Sequence, residues 1–181
     1  MVATTEAELV QRVHQGDKLA FRQLLDEHLG PVSHFVARMT DDAALAEDIA
    51  QEVFLRLWTQ ADRFDPARAK LSTWLHNIAR NLCIDHFRKQ RRIVDEDDFD
   101  RFESGDEPGM AAIEAATGDA MRQSLAALPE SQRSAIVLCY YQGFSNRDAA
   151  GILGINVAAL ESLLARGRRR LKTLLAERSG D

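Results

Sequence analysis

Apolar residues recur along the chain at the three- and four-residue spacing of amphipathic helices, and the alternation typical of strands is absent. A first stretch spans residues 9–29 and is interrupted by Gly16. Pro31 is expected to open the next helix, because proline fits the first helical turn. The acidic pair at residues 41–42 is expected to start a long third helix. Its apolar stripe consists of Leu45, Ile49, Val53 and Leu57, with Phe54 and Trp58 beside it.

A fourth helix is predicted after the loop at residues 63–70, in which Pro66 acts as a breaker. Ser72 or Thr73 is expected to cap this helix at its start. The helix then runs to about Arg92 and ends in a cluster of basic residues.

The composition changes sharply after this helix. Residues 95–107 contain eight acids and one arginine, a net charge of −7, whereas the whole chain of 181 residues carries −5. Such a stretch cannot bury enough apolar surface to fold. The remainder is positively charged, and its positive residues are clustered. We therefore predict an all-α protein with two small helical domains, residues 9–94 and 118–177, joined by a flexible acidic linker at residues 95–117.

The second domain carries the pattern of a helix-turn-helix. Ser145 and Asp148 have the spacing of a capping box and start a short helix. Gly154 is expected to end it in the left-handed conformation, and Asn156 to cap a second helix that runs to about Glu177. Two helices joined by a short glycine-containing turn are typical of DNA-binding proteins.

The second of these helices has two distinct faces. One is an apolar stripe, formed by Leu160, Leu163, Leu164, Gly167, Leu171, Leu174 and Leu175. The opposite face is small and polar near its start, with Ala158, Ser162, Ala165 and Arg169, so that the helix can approach base edges closely. It is flanked by cations suited to phosphates, namely Arg166, Arg168, Arg170 and Lys172. This pattern indicates DNA binding.

Other classes of function find little support. The N-terminus lacks the pattern of a signal peptide and no apolar run has the length of a membrane span, so a cytoplasmic protein without membrane insertion is expected. The five histidines lack a ligand spacing, and neither a metal nor a cofactor is expected. Cys83 and Cys139 lie in apolar runs and are interpreted as small buried side chains.

Four segments together resemble the extracytoplasmic-function (ECF) group of the bacterial sigma-70 family. They are residues 46–58 and 71–89 in the first domain and residues 128–133 and 143–155 in the second. The resemblance implies a sigma factor that binds core RNA polymerase, through the polymerase clamp helices and flap, and promoter DNA, both duplex and melted. It also implies a cognate anti-sigma factor and no catalytic residues.

The resemblance assigns three sets of residues. Core polymerase would be bound by Asp48, Gln51, Glu52, Phe54 and Leu55. The minus-ten element would be read and melted by Lys70, Ser72, Thr73, Trp74, Asn77, Arg80, Asn81, Arg88, Lys89 and Arg91. The duplex minus-thirty-five element would be bound by Ser145, Arg147, Asn156, Ala158, Ala159, Glu161, Ser162, Ala165, Arg166, Arg168 and Arg169.

Some roles stay open at this point. Trp74 is interpreted either as a core anchor or as a platform for base stacking. Glu161 and Leu163 stand where the family commonly has basic residues, so the promoter sequence need not be the family's usual one. A stand-alone helix-turn-helix regulator is the alternative function, and it would bind duplex DNA tightly without polymerase. A metal-dependent enzyme that uses residues 95–100 and a histidine is the third and weakest hypothesis.

Overall fold

The computed structural model describes residues 4–91 and 118–179, and the predicted acidic linker lies outside them. Within these two ranges the chain is helical and contains no strand, as the sequence predicts. The first domain consists of α1 (Glu6–His14), α2 (Lys18–Thr40), α3 (Ala43–Thr59), a short 3-10 turn (Ala61–Arg63) and α4 (Leu71–Arg91). The second consists of α5 (Gly118–Ala126), α6 (Glu130–Ile136), a π-helical turn (Val137–Tyr141), α7 (Asn146–Leu153) and α8 (Val157–Ser179).

The break expected at Pro31 is wrong, because α2 passes through this residue without interruption. Proline removes one backbone donor from a helix. Pro31 lies on the exposed side of α2, where water can satisfy the carbonyl that loses its donor. The opposite side is a continuous buried stripe that holds the helix together, formed by Leu24, His28, Val32, Phe35, Val36 and Met39.

Helix α4 also begins differently from the sequence prediction. Ser72 and Thr73 do not cap it, because the helix starts at Leu71 and the Trp74 amide already donates to the Lys70 carbonyl at 3.1 Å. Both Leu71 and Leu75 are fully buried. Their burial fixes the first turn of α4 two residues earlier than a Ser72 cap would.

The first domain is a bundle in which α2 packs against α1, α3 and α4. Asp42 caps α3 by accepting from the Leu45 amide at 3.0 Å, which agrees with the predicted helix start. The preceding residue, Asp41, ends α2 in the left-handed conformation with φ at 54°. In the second domain α8 packs across α5, α6 and α7.

The two domains pack against each other. Helix α4 of the first lies on α7 of the second, and α2 contacts α5 and the π-helical turn. Arg133 is among the side chains that connect them: it donates to the carbonyl of Met39 at the end of α2 and to those of Ala126 and Leu128 in the second domain. The carbonyls of Met39 and Ala126 lie at helix ends, and that of Leu128 lies in the turn after α5, so none of the three has an intrahelical donor.

Among the described residues no single helix is both long and apolar enough to cross a bilayer. Only α7 and α8 taken together, with a bend of 95° between them, reach that length and composition.

Candidate nucleic-acid interface

The helix-turn-helix forms as its capping residues predict. The Ser145 hydroxyl oxygen accepts from the Asp148 amide at 3.1 Å, and the hydroxyl donates to the Asp148 carboxylate at 2.9 Å. Gly154 ends α7 with φ at 67°, a conformation that favours glycine. The Asn156 side chain then accepts from the Ala159 amide at 2.8 Å and starts α8.

Helix α8 is anchored by its apolar stripe. Leu160, Leu164, Leu171 and Leu175 are buried, while Leu163 and Leu174 are half-buried. Gly167 lies in the same stripe, and a β-carbon there would stand 3.1 Å from Ile136. The glycine thus allows α8 to approach α6 closely.

The opposite face of α8 is available to a ligand. Ala158, Glu161 and Ser162 are exposed, and Ala165 and Arg169 are half-buried. The Ser162 hydroxyl donates to the Ala158 carbonyl at 3.1 Å, so that its oxygen remains able to accept from a base amino group. The small side chains leave the helix backbone accessible at this end.

Arginines border this face. Arg166 donates through Nε to the Ser162 carbonyl at 3.3 Å, and Arg169 to the Ala165 carbonyl at 3.5 Å. Arg168 donates to the Tyr140 hydroxyl at 2.6 Å. These bonds hold the guanidinium groups along the helix, in positions that suit a phosphate backbone. The other assigned residues near the turn, Ser145, Arg147 and Asn156, are exposed, and Ala159 is half-buried.

In α4 the residues assigned to the minus-ten element divide into two groups. Lys70 before the helix and the three cations at its end, Arg88, Lys89 and Arg91, are exposed. Thr73 is buried, and Trp74 is half-buried with its ring edge-to-face on Phe64 at 5.9 Å. Trp74 thus combines a core contact with a partly accessible ring.

The middle of α4 contacts the second domain. Asn77 donates to the Ile152 carbonyl at 3.2 Å and accepts from Asn81 at 3.2 Å. Arg80 forms an ion pair with Glu130 at 3.8 Å. Ser72 is half-buried, and its carbonyl binds His76 Nδ1 at 2.8 Å.

The acidic face of α3 differs in one respect from the expected polymerase-binding surface. Asp48 and Gln51 are exposed, and Leu55 is 54% exposed. Glu52 is half-buried and pairs with Arg56 at 2.9 Å. Phe54, however, is only 3% exposed because it faces the core, so it supports this surface from beneath and does not lie on it.

The residues that join the domains could not be identified from the sequence. His76 is almost completely buried, with its ring edge-to-face on both Phe35 (5.4 Å) and Phe144 (4.8 Å). Its Nε2 lies 3.3 Å from the Gln142 side chain. Burial lowers the pKa of His76 below its ordinary value of 6.5, so the ring is neutral in this environment. The periodicity of α4 places His76 on the apolar face next to Leu75, but it does not identify the partner.

The buried thiol of Cys83 lies about two turns beyond His76 on the core side of α4. Burial is the main reason that its pKa rises to about 12, and the Glu130 carboxylate adds to this effect. Both cysteines are free. Cys83 is therefore an inert, protonated core side chain, as its apolar surroundings in the sequence indicate.

One group of side chains in the described residues has the proximity of cation ligands. Donor atoms of Glu6, Glu27 and His28 lie within 4.8 Å of one another. His28 Nε2 and a Glu6 carboxylate oxygen are 2.8 Å apart, which accounts for the closeness of α1 and α2 at this point. The arrangement is that of a hydrogen bond between side chains of two helices.

Comparisons with known proteins agree with this geometry. The family model described as Sigma-70 region 2 matches residues 24–93, and that of Sigma-70, region 4 matches residues 118–171. The chain is 31% identical to the ECF RNA polymerase sigma factor SigW of Bacillus subtilis, over 93% of this chain and 95% of that protein.

Two solved structures share the fold. The sigma factor RpoE from Bartonella quintana, in complex with the anti-sigma factor NepR, has 31% identity and a TM-score of 0.68, covering 86% of this chain and 96% of that one. CnrH, in complex with the cytosolic domain of CnrY, has 26% identity and a TM-score of 0.72, covering 95% and 97%. The chain therefore belongs to the ECF group of the sigma-70 family of RNA polymerase sigma factors.

Proposed function

We propose that this sigma factor binds core RNA polymerase through α3 and contacts a promoter at two separate places, through α8 and α4. The observation that carries the proposal is the exposed, small face at the start of α8, formed by Ala158 and Ser162 and bordered by arginines. The alternative of a stand-alone helix-turn-helix regulator does not account for the similarity of the first domain to sigma region 2.

At the minus-thirty-five element, α8 is the helix that enters the major groove of duplex DNA. Ala158 and Ala165 suit thymine methyl groups, and Ser162 suits a base amino group or a phosphate. Arg166, Arg168 and Arg169 neutralise phosphates and supply most of the affinity, which makes binding strongly dependent on salt. Glu161 is exposed beside them and is able to accept from a cytosine amino group.

At the minus-ten element, the start of α4 and its basic end are suited to a melted strand. Extracting a base from the stack costs a few kcal/mol, which aromatic stacking and phosphate contacts offset. Trp74 offers a partly accessible ring, and Arg88, Lys89 and Arg91 form an exposed cationic track. Asn77 and Asn81 carry amides that suit base edges or sugars.

At the polymerase, Asp48, Gln51 and Leu55 form the accessible part of the docking surface on α3. A single exposed leucine among acids and amides fits a partner that presents an apolar pocket with basic surroundings. The phosphoryl transfer of transcription belongs to the polymerase, so the chain contributes recognition and not catalysis. This function places the protein in the cytoplasm, where polymerase and chromosome are found.

Control by an anti-sigma factor follows by analogy. The sigma factor RpoE of Bartonella quintana is known in complex with the anti-sigma factor NepR. The likeness to RpoE covers 86% of this chain, and we extend the same kind of partner to it.

The test is run-off transcription with core polymerase on a promoter selected from random DNA. The wild-type chain is expected to direct initiation at a defined start site. Ala158→Asp places a negative charge on the base-facing start of α8, close to the DNA, and is expected to reduce the product at least tenfold. Ala176→Asp is the matched control, because Ala176 is exposed on the same helix far from the turn. Absence of initiation by the wild-type chain, or an equal effect of both substitutions, would refute the proposal.

A further inference from the structure

Two arginines of α8 lie on opposite sides of its base-facing surface. An α-helix turns by about 100° per residue, so Arg166 and Arg168 are about 160° apart around the helix axis, with Ala165 on the face between them. A helix in the major groove has one sugar-phosphate backbone along each of its sides. The two arginines are therefore placed to meet the backbones of different DNA strands.

A polar groove of about 440 Å³ lies beside α8 on the side of Arg168. Helix α8 contributes Glu161 and Arg168 to its lining, and the chain before α8 contributes Tyr140, the half-buried Cys139, and Asn146 at the start of α7. Tyr140 and Asn146 are exposed, so the groove is open to solvent. A groove of this size can accept a phosphate group together with part of its sugar.

The Tyr140 hydroxyl orients the Arg168 side chain in this groove. Arg168 donates through Nη1 to the phenol oxygen at 2.6 Å, and Tyr140 is 38% exposed. Because the phenol oxygen accepts in this bond, the hydroxyl hydrogen remains able to donate to another acceptor. The hydroxyl is neutral, so this bond directs the guanidinium without neutralising it. A phosphate that enters the groove therefore meets a guanidinium and a hydroxyl donor side by side.

The π-helical turn determines where this hydroxyl lies. The turn is followed by Gly143 with φ at 70°, and the Phe144 amide then donates back to the Leu138 carbonyl at 3.0 Å. Two successive tyrosines of the turn reach the surface in different directions: Tyr140 contacts α8, whereas the ring of Tyr141 lies under the guanidinium of Arg38 at 4.4 Å. π-Helical turns are rare and are frequent at functional sites.

We propose that Tyr140 is a further DNA-binding residue: its hydroxyl holds Arg168 in the groove and donates to the same backbone phosphate of the minus-thirty-five duplex. The inference rests on the proposed role of α8 in binding this duplex. A guanidinium that is oriented before the DNA arrives loses less conformational entropy on binding, which increases affinity. Because Tyr140 contacts the backbone and not the bases, it contributes to affinity and leaves the choice of sequence unchanged.

The test uses the full chain bound to core polymerase and a duplex that this complex selects from random DNA. Tyr140→Phe removes the hydroxyl and keeps the ring. Tyr141→Phe is the matched control, because Tyr141 is exposed to a similar extent in the same turn and its ring contact with Arg38 does not need the hydroxyl. Arg168→Ala and the double variant Tyr140→Phe with Arg168→Ala complete a double-mutant cycle.

Fluorescence anisotropy gives the affinity of each complex for the selected duplex and for a series of duplexes in which one phosphate at a time is replaced by an uncharged methylphosphonate. Tyr140→Phe is expected to weaken binding to the unmodified duplex about fivefold, and Tyr141→Phe to leave it unchanged. Once Arg168 is alanine, removal of the Tyr140 hydroxyl is expected to weaken binding about twofold or less, because the two groups act on one phosphate.

One methylphosphonate position is expected to weaken binding of the wild-type complex and to remove the differences between the wild type, Tyr140→Phe and Arg168→Ala. Equal binding of the wild type and Tyr140→Phe to the unmodified duplex would overturn the inference. A loss in Tyr140→Phe that persists in full at every methylphosphonate position would also overturn it, because the hydroxyl would then act through the fold. Both outcomes leave the proposed function of α8 standing, whereas a wild-type complex that selects no duplex would refute that function and the inference with it.

Discussion

Arg133 makes the most concentrated set of contacts between the domains, and its loss is expected to destabilise the whole chain. Its guanidinium donates to the carbonyls of Met39, Ala126 and Leu128, and the side chain is half-buried. Burial lowers the pKa of Arg133, but an arginine stays charged at any pH at which the protein is folded. Arg133→Met keeps most of the side-chain volume and removes all three donors.

Three carbonyls would lose their partners in this variant. A hydrogen bond to a charged group contributes about 1.5–3 kcal/mol, and the three bonds are not additive because they share one guanidinium. The apolar side chain also avoids the cost of burying a charge, which lowers the sum. The net loss of unfolding free energy is therefore about 3 kcal/mol. For a chain of this size that corresponds to a fall in Tm of roughly 6–12 °C.

The assay is urea and thermal unfolding followed by circular dichroism. Arg133→Lys retains a charge and one or two donors but not the planar fork, and it is expected to lose about half as much stability. Arg178→Met is the control, since this exposed arginine bonds only to a side chain of its own domain, and its expected change is within about 0.5 kcal/mol. If Arg133→Met unfolds within this same margin of the wild-type chain, the reasoning about the shared carbonyls is refuted.

Three further predictions follow from exposed and titrating groups. Glu161→Lys is expected to raise affinity for minus-thirty-five duplex DNA or to shift the selected promoters. In filter binding across a salt series, the slope of affinity against salt is expected to steepen by the equivalent of about one to two phosphate contacts. No change in affinity or promoter choice would mean that Glu161 does not face DNA. Leu55→Asp is expected to weaken binding to core polymerase at least tenfold in a pull-down titration. The control is Leu19→Asp, which is expected to leave binding unchanged because Leu19 is 76% exposed on α2, outside the assigned surface. Equal effects of the two substitutions would contradict the assigned surface. Burial lowers the pKa of His76, so the packed arrangement of the two domains is most stable above its ordinary pKa of 6.5 and loses stability as the pH falls below that value. X-ray scattering between pH 7.5 and 5 is expected to show expansion in the wild-type chain and a smaller dependence in His76→Phe; identical profiles would contradict it.

In the helix-turn-helix, residues close in sequence determine where each helix begins and ends. Ser145, Gly154 and Asn156 each act on the three or four residues that follow or precede them, and the predicted helix bounds and turn are confirmed. The apolar stripe of α8 is likewise buried where its periodicity predicts. These features depend on contacts close in sequence, and so they can be read from it.

Elsewhere tertiary packing outweighs local preference. Pro31 was expected to start a helix, but the buried stripe on the other side of α2 is continuous and holds the helix through it. Phe54 was expected on the polymerase-binding surface because it widens the apolar arc of α3. In the structure α3 is covered on more than one side, so this arc is core, and Leu55 alone of the assigned apolar pair is exposed.

The contact between His76 and Gln142 could not be predicted, because 66 residues separate the two side chains and the periodicity of their helices does not identify a partner. The placement of one domain on the other depends on such pairs. Its sequence signals are single polar residues on otherwise ordinary helices, and these do not identify their partners.

The burial of Cys83 makes its alkylation rate a measure of how often α4 becomes uncovered. With its pKa raised to about 12 and no exposed surface, this thiol cannot react with an alkylating reagent while α4 is covered. The two charged groups with the largest influence on the pKa of Cys83 are Glu130 and Arg133, and both belong to the other domain. The alkylation rate of Cys83, relative to that of the half-buried Cys139, would therefore count excursions from the covered state in unlabelled, unmodified protein. A polymerase, a DNA strand or an inhibitor that changes this rate reveals which state of the chain it prefers.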